Sequence, residues 1–134
     1  MCWTNNIVTP IVLKKPLRVY KVGTSISIGT DGFISLYQQF MYCKSQAAPK
    51  VEINPQFIRV CPPLPFTDVL WKYDNFYIYG GYHSYLTKKM ARRSSDEYDD
   101  IGIFEIPAGA TIYVNYKHEE VVSTDIKYLG LLEL

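Results

Sequence analysis

His83 and Ser84 follow the pair Gly80-Gly81 in YGGYHSYLTKKMARR, residues 79 to 93. Two glycines allow backbone geometry that a side chain forbids, and they let a ligand come close to the main chain. LTKKMARR carries helix formers without Gly or Pro, so Ser84 reads as an N-cap with Thr87 three residues on. A helix entrance offers unpaired N–H groups and a positive dipole end, which suit an anion or a phosphate. The plain alternative is a glycine turn, a capping Ser84 and a packed or exposed His83 ring.

Glu119 and Glu120 in HEEVVSTDI (118–126) supply carboxylates. Neighbours on a strand point to opposite faces, so at most one of them enters a cleft. There it would grip a ribose hydroxyl or stabilise developing positive charge; on a charged hairpin tip it would do neither. In LRVYKV (17–22), Arg18 and Tyr20 share one face, and Val19 and Lys21 share the other. Arg18 would hold a phosphate and Tyr20 would stack, unless this is an edge strand with charges in solvent. The expected ligand-binding set is therefore Arg18, Tyr20, Gly81, His83, Ser84, Glu119 and Glu120. Adjacent His83 and Ser84 do not form a triad. His83 and His118 lack ligand spacing, so no metal site is expected.

The elements that must position these residues are mostly strands. LRVYKV, NFYIY (75–79), IGIFEI (101–106) and TIYVNY (111–116) are rich in β-branched and aromatic residues. PAGA after IGIFEI reads as a turn, and VVSTDIKYLGLLEL offers one or two last strands. Turn signals stand at Gly29 and Asp31-Gly32. SLYQQFMYC (35–43) fits a helical stripe and a strand alike, and reads as a short helix or turn running into a strand. Five prolines between 49 and 65 argue against long central strands there, and CPPLPF reads as a rigid loop. The segment up to Pro16 reads as an arm or an edge strand. Together these predict an α+β single domain, a twisted and mostly antiparallel sheet with one main helix at about 85–94.

Composition narrows the function classes. Fourteen basic and 13 acidic residues give a net charge of +1, which does not call for nucleic acid. Three scattered cysteines without a CxxC pair suit free thiols in a reducing compartment. The start MCWTNNIVTP has no basic region or long apolar run, and no stretch is long enough to span a membrane. A cytoplasmic protein without a membrane partner is expected. Twelve tyrosines suit sheet faces or an interface, so a homo-oligomer or a protein-binding surface fits as well.

The order of LRVYKV, FISLYQQFMY, GYHSYLTKKMA and FEIPAGATIYVNYKHEEVVSTDI resembles small bacteriophage and mobile-element proteins, chiefly of Bacteroides-like bacteria. That resemblance implies action inside a bacterial host cell and supplies no activity. The same order is distantly similar to ADP-ribosyltransferase-like domains, through Arg18, then Gly81, Tyr82 and Ser84 before Met90-Ala91, then FEIPAGA (104–110) and Glu119 or Glu120. This second resemblance implies an NAD-type dinucleotide as donor. Arg18 would grip a phosphate, Ser84 would orient the ribose, and Glu120 would be the catalytic carboxylate.

Three readings follow. The first is a binder of a nucleotide-like ligand without a cofactor, in a counter-defence role that the phage resemblance suggests. The second is an ADP-ribosyltransferase-like enzyme. The third is a structural or host-protein interaction module.

Overall fold

The computed structural model describes residues 2–4, 10–28, 30–36, 40–59, 74–116 and 119–132. Twelve strands and one helix occupy them. In chain order they are β1 Cys2–Thr4, β2 Ile11–Val12, β3 Leu17–Ile28, β4 Thr30–Ser35, β5 Met41–Cys43, β6 Ile53–Arg59, β7 Asp74–Gly80, β8 Tyr82–Tyr85, α1 Lys88–Arg93, β9 Asp100–Ile106, β10 Thr111–Asn115, β11 Glu120–Ser123 and β12 Lys127–Leu131. Every strand pairing among the described residues is antiparallel. Among the described residues this is the α+β, mostly antiparallel architecture with one main helix that the patterning predicts.

A three-stranded sheet has the order β1-β7-β6, and the larger sheet runs β12-β9-β3-β8-β11-β10-β2, with β4 and β5 branching from β3. The arm before Pro16 supplies β1 and β2, an edge strand on each sheet. Pro55 lies in β6, also at an edge, where its missing N–H costs least. The CPPLPF loop falls outside the described residues.

β3 is the axis of the fold. Its first half pairs with β9 from Leu17↔Ile106 to Gly23↔Asp100, and its second half pairs with β4 from Gly23↔Ser35 to Ile28↔Thr30. Gly23 stands at the changeover, where an added Cβ would lie 2.0 Å from Ile34 O. β3 and β4 pair out to Ile28↔Thr30, so Asp31-Gly32 sits inside β4 rather than in a turn, and Gly29 lies outside the described residues. Of the ambiguous SLYQQFMYC, Met41–Cys43 is strand, and residues 37–39 lie outside the described residues.

The segment after β5 ties this arm back to the last strand. Ser45 N donates to Tyr128 O at 2.8 Å, Ala48 N to Ile126 O at 2.9 Å, and Val51 N to Thr124 O at 3.0 Å. The circuit β12–β9–β3–β4–β5 thus returns to β12. Inside it pack Val19, Phe33, Tyr42, Phe104 and Tyr128, each 2% exposed or less. Phe33 meets Phe104 edge-on at 5.5 Å, and Tyr42 meets Phe104 edge-on at 4.9 Å. Each such buried side chain contributes about 1.5–3 kcal/mol of transfer free energy. On the opposite face of the sheet, Tyr20, Val22 and Ile101 pack against Ala91 of α1.

The helix is shorter than predicted, and it starts later. Tyr82–Tyr85 is strand β8, paired with β11 on one side and β3 on the other, with Tyr82 and Ser84 buried. Ser84 is therefore not the cap. Thr87 is: its backbone is extended, and its Oγ1 accepts from Met90 N at 3.2 Å. The tyrosine-rich stretch favours the pleat over a helical turn, which moves the cap three residues down the chain. Arg92 and Arg93 stand in the last turn, where cations complement the helix dipole.

Candidate functional site

Two places collect polar side chains that packing alone does not require. The first is an open cavity of about 400 Å³ lined by Arg18, Ser25, Asp31, Lys44, Tyr128 and the rest of β12 to Leu131, with Gly32 among its walls. Its size is that of a small-ligand site. β3 supplies Arg18 and Ser25, β4 supplies Asp31, and Lys44 follows β5. Lys44 Nζ lies 3.6 Å from Asp31 Oδ2, with both side chains largely in solvent. Asp100 braces the rim by accepting from Ser25 N at 2.9 Å and from Ser25 Oγ at 2.8 Å. Burial raises the Tyr128 phenol above its ordinary pKa, and the carboxylates of Asp31 and Asp100 push the same way. Tyr128 is therefore a neutral hydroxyl on this wall.

The second place is interior. Lys21 is 4% exposed and stands between the rings of Tyr42 and Phe104, its Nζ at 5.3 and 5.8 Å from their centroids. The amine donates to His83 O. Burial lowers its pKa to about 7. The sequence pattern placed Lys21 beside Val19 on one strand face, and chemistry was expected from the other face. The signal that could have marked Lys21 was its position: a lone lysine inside the apolar run of VYKV, in a strand that is central rather than at an edge.

The residues expected to bind a ligand are distributed as follows. Arg18 is exposed and lines the cavity. Tyr20 is buried under α1. Gly80 and Gly81 have φ of 74° and 75°, and their open geometry is filled by the protein itself. A Cβ on Gly80 would meet Glu52 O at 2.6 Å, and one on Gly81 would meet Val122 Cγ1 at 2.5 Å and Ile53 Cγ1 at 3.0 Å. These glycines let the chain pass from the small sheet to the large one.

His83 and Ser84 point to opposite sides of β8. The His83 ring is half-buried, with Nε2 3.0 Å from Gly80 O. Burial pushes its pKa down to about 4, with the Lys21 charge acting in the same direction, so the ring is neutral near pH 7. Ser84 faces the core, opposite Val121. Glu119 holds the start of the helix. Its Oε2 accepts from Thr87 Oγ1 at 2.8 Å and its carbonyl accepts from Leu86 N at 2.8 Å, with φ at 51°. Glu120 sits across from Tyr85, which in turn sits across from Tyr20. The fold thus brings Tyr20, Tyr85 and Glu120 into one row, keeps Arg18 beside Glu105, and sends Ser84 to the other face.

Among the described residues, no group of three or more His, Cys, Asp or Glu is placed to hold a metal ion. No helix there is long and apolar enough to cross a membrane. No protein-family model, curated protein or solved structure matches the chain.

Proposed function

We propose that this protein binds a small anionic, nucleotide-like ligand in the cavity between β3, β4 and β12, and does not transform it. The observation that carries this reading is the convergence of Arg18 and Lys44 on one cavity of about 400 Å³. A guanidinium and an ammonium suit phosphate oxygens. Asp31 and the Ser25 hydroxyl lie in the same walls and suit sugar hydroxyls or base N–H groups. With the phage and mobile-element resemblance, the reading becomes retention of a host signalling nucleotide inside the bacterial cell, a counter-defence role.

The transferase reading draws no comparable support. It needs Ser84 and Glu120 around one donor, and these side chains belong to opposite faces of the sheet, separated by the β8–β11 pairing.

A thermal-shift panel of nucleoside mono-, di- and cyclic phosphates, followed by native mass spectrometry, tests the binding reading. At least one nucleotide should raise the melting temperature and be recovered intact. The Arg18→Ala, Lys44→Ala double variant should lose that shift while keeping its own melting temperature. A panel without any shift overturns the reading, and so does consumption of NAD with labelling of a target protein.

A further inference from the structure

The interior around Lys21 holds an amine and three hydroxyls whose hydrogen bonds are not completed among the described residues. Lys21 brings three N–H donors. His83 O accepts one of them, and no carboxylate pairs with this amine among the described residues. Ser84 and Ser123 are 4% and 0% exposed, and Tyr42 is 2% exposed. Their three hydroxyls have no hydrogen-bond partner among the described residues. Buried polar groups are nearly always satisfied, so three unmatched hydroxyls beside an amine without a counter-charge call for a bound species, and the missing counter-charge favours an anion that accepts from the hydroxyls.

The strand register brings these groups to one face. Tyr20 pairs with Tyr85, which sets Lys21 across from Ser84. Ser123 pairs with Tyr82, one row along on the same side, and the Tyr42 ring packs against Tyr82 at 6.0 Å. Directly opposed residues on one face of a sheet have Cβ atoms about 4.5–5.5 Å apart. The Lys21 stem and the Ser84 side chain therefore leave the sheet on the same face, and the contact of Nζ with His83 O keeps the amine beside this row.

We propose that a single small monovalent anion of the halide class binds between Lys21 Nζ and the Ser84 hydroxyl, with the hydroxyls of Ser123 and Tyr42 completing the donor set. The anion supplies the counter-charge that the ammonium lacks and accepts from the three hydroxyls. Ammonium and halide enter the interior as a neutral pair, which removes most of the cost of burying either alone. The aromatic walls admit one desolvated charge. They discriminate against sulfate or phosphate, because desolvation cost rises steeply with charge. This site is separate from the Arg18 cavity and stands or falls independently of it.

The test is thermal unfolding of the whole chain across a chloride or bromide titration, with ionic strength held constant by acetate or sulfate. Ligand bound only to the native state raises stability with its concentration, so the melting temperature should climb by several degrees with halide and not with sulfate. Lys21→Met, which keeps the stem and removes the amine, should abolish the climb. Ser84→Ala, a smaller change that leaves Lys21 in place, should weaken it. Bromide-soaked crystals should show an anomalous peak beside Lys21 Nζ. The proposal is overturned by an equal response to sulfate, by a halide response that survives Lys21→Met, or by water alone at that position in bromide-soaked crystals.

Discussion

One strand carries two cations, three residues apart, into opposite settings. Arg18 lies in solvent on the wall of an open cavity, whereas Lys21 is enclosed by Tyr42 and Phe104. Residue type says little about which is which. Odd-numbered side chains of the first half of β3 point into the circuit closed by β4, β5 and β12, and even-numbered ones point to the outer face. Lys21 is thereby exposed to a full desolvation penalty, while Arg18 keeps its water and remains available to a ligand. The difference teaches that the functional potential of a charge here is set by strand register more than by local sequence.

The comparison can be broken most severely at its pivot. Gly23→Ala places a Cβ at 2.0 Å from Ile34 O, against backbone that cannot yield. It should cost more than about 3 kcal/mol and erase both settings together, read as loss of cooperative urea unfolding.

Lys21→Met sharpens the comparison with the opposite sign. The folded-state pKa of Lys21, about 7, lies below its ordinary 10.5, so the unfolded chain binds more protons between those values. The contribution is present above 10.5 and is lost as pH falls through about 7. In halide-free buffer near pH 7, Lys21→Met should therefore stabilise the protein by a few kcal/mol and flatten the rise of stability between pH 7 and 10.5. Denaturant melts at several pH values check this; an unchanged slope refutes a neutralised Lys21. His83, depressed to about 4 from 6.5, adds a second loss as pH falls across that lower window. His83→Gln should remove it.

Thr87→Ala deletes the cap of α1 and the hydroxyl that Glu119 accepts from, and should cost about 1 kcal/mol. Glu119→Ala should cost a similar amount or less, and a double-mutant cycle should show the two coupled. The smallest effect belongs to Arg18→Ala. Stability should move by less than about 0.5 kcal/mol, since the side chain is exposed, while any nucleotide-induced thermal shift should fall. A large loss of stability would give Arg18 a structural role instead.

Much of the strand content was legible in the sequence. LRVYKV, NFYIY and IGIFEI lie within observed strands, and TIYVNY does so up to Asn115, because β-branched and aromatic residues suit a half-buried pleat. The start of the helix was misplaced because Ser84 and Thr87 both suit a cap. The choice between them depends on the pairing of β8 with β3 and β11, which no local signal carries. The candidate site was legible at Arg18 alone. Ser25, Asp31 and Lys44 are brought together by the local β3–β4 and β4–β5 hairpins, but the wall they share with β12 depends on the long-range return of this arm onto Tyr128. The glycine pair was legible as a turn, but not as a turn closed over by Glu52, Ile53 and Val122.

The extent of β3 pairing bears on how the chain acquires its shape during synthesis. Leu17 to Gly23 find their partners only at Asp100 to Ile106, and Tyr20 finds Tyr85. As the polypeptide leaves the ribosome, the hairpin of β3 with β4 can close early. The other half of β3 must stay unzipped until residue 106 has emerged. Closing this long-range pairing, rather than the β3–β4 hairpin, should therefore set the pace of folding.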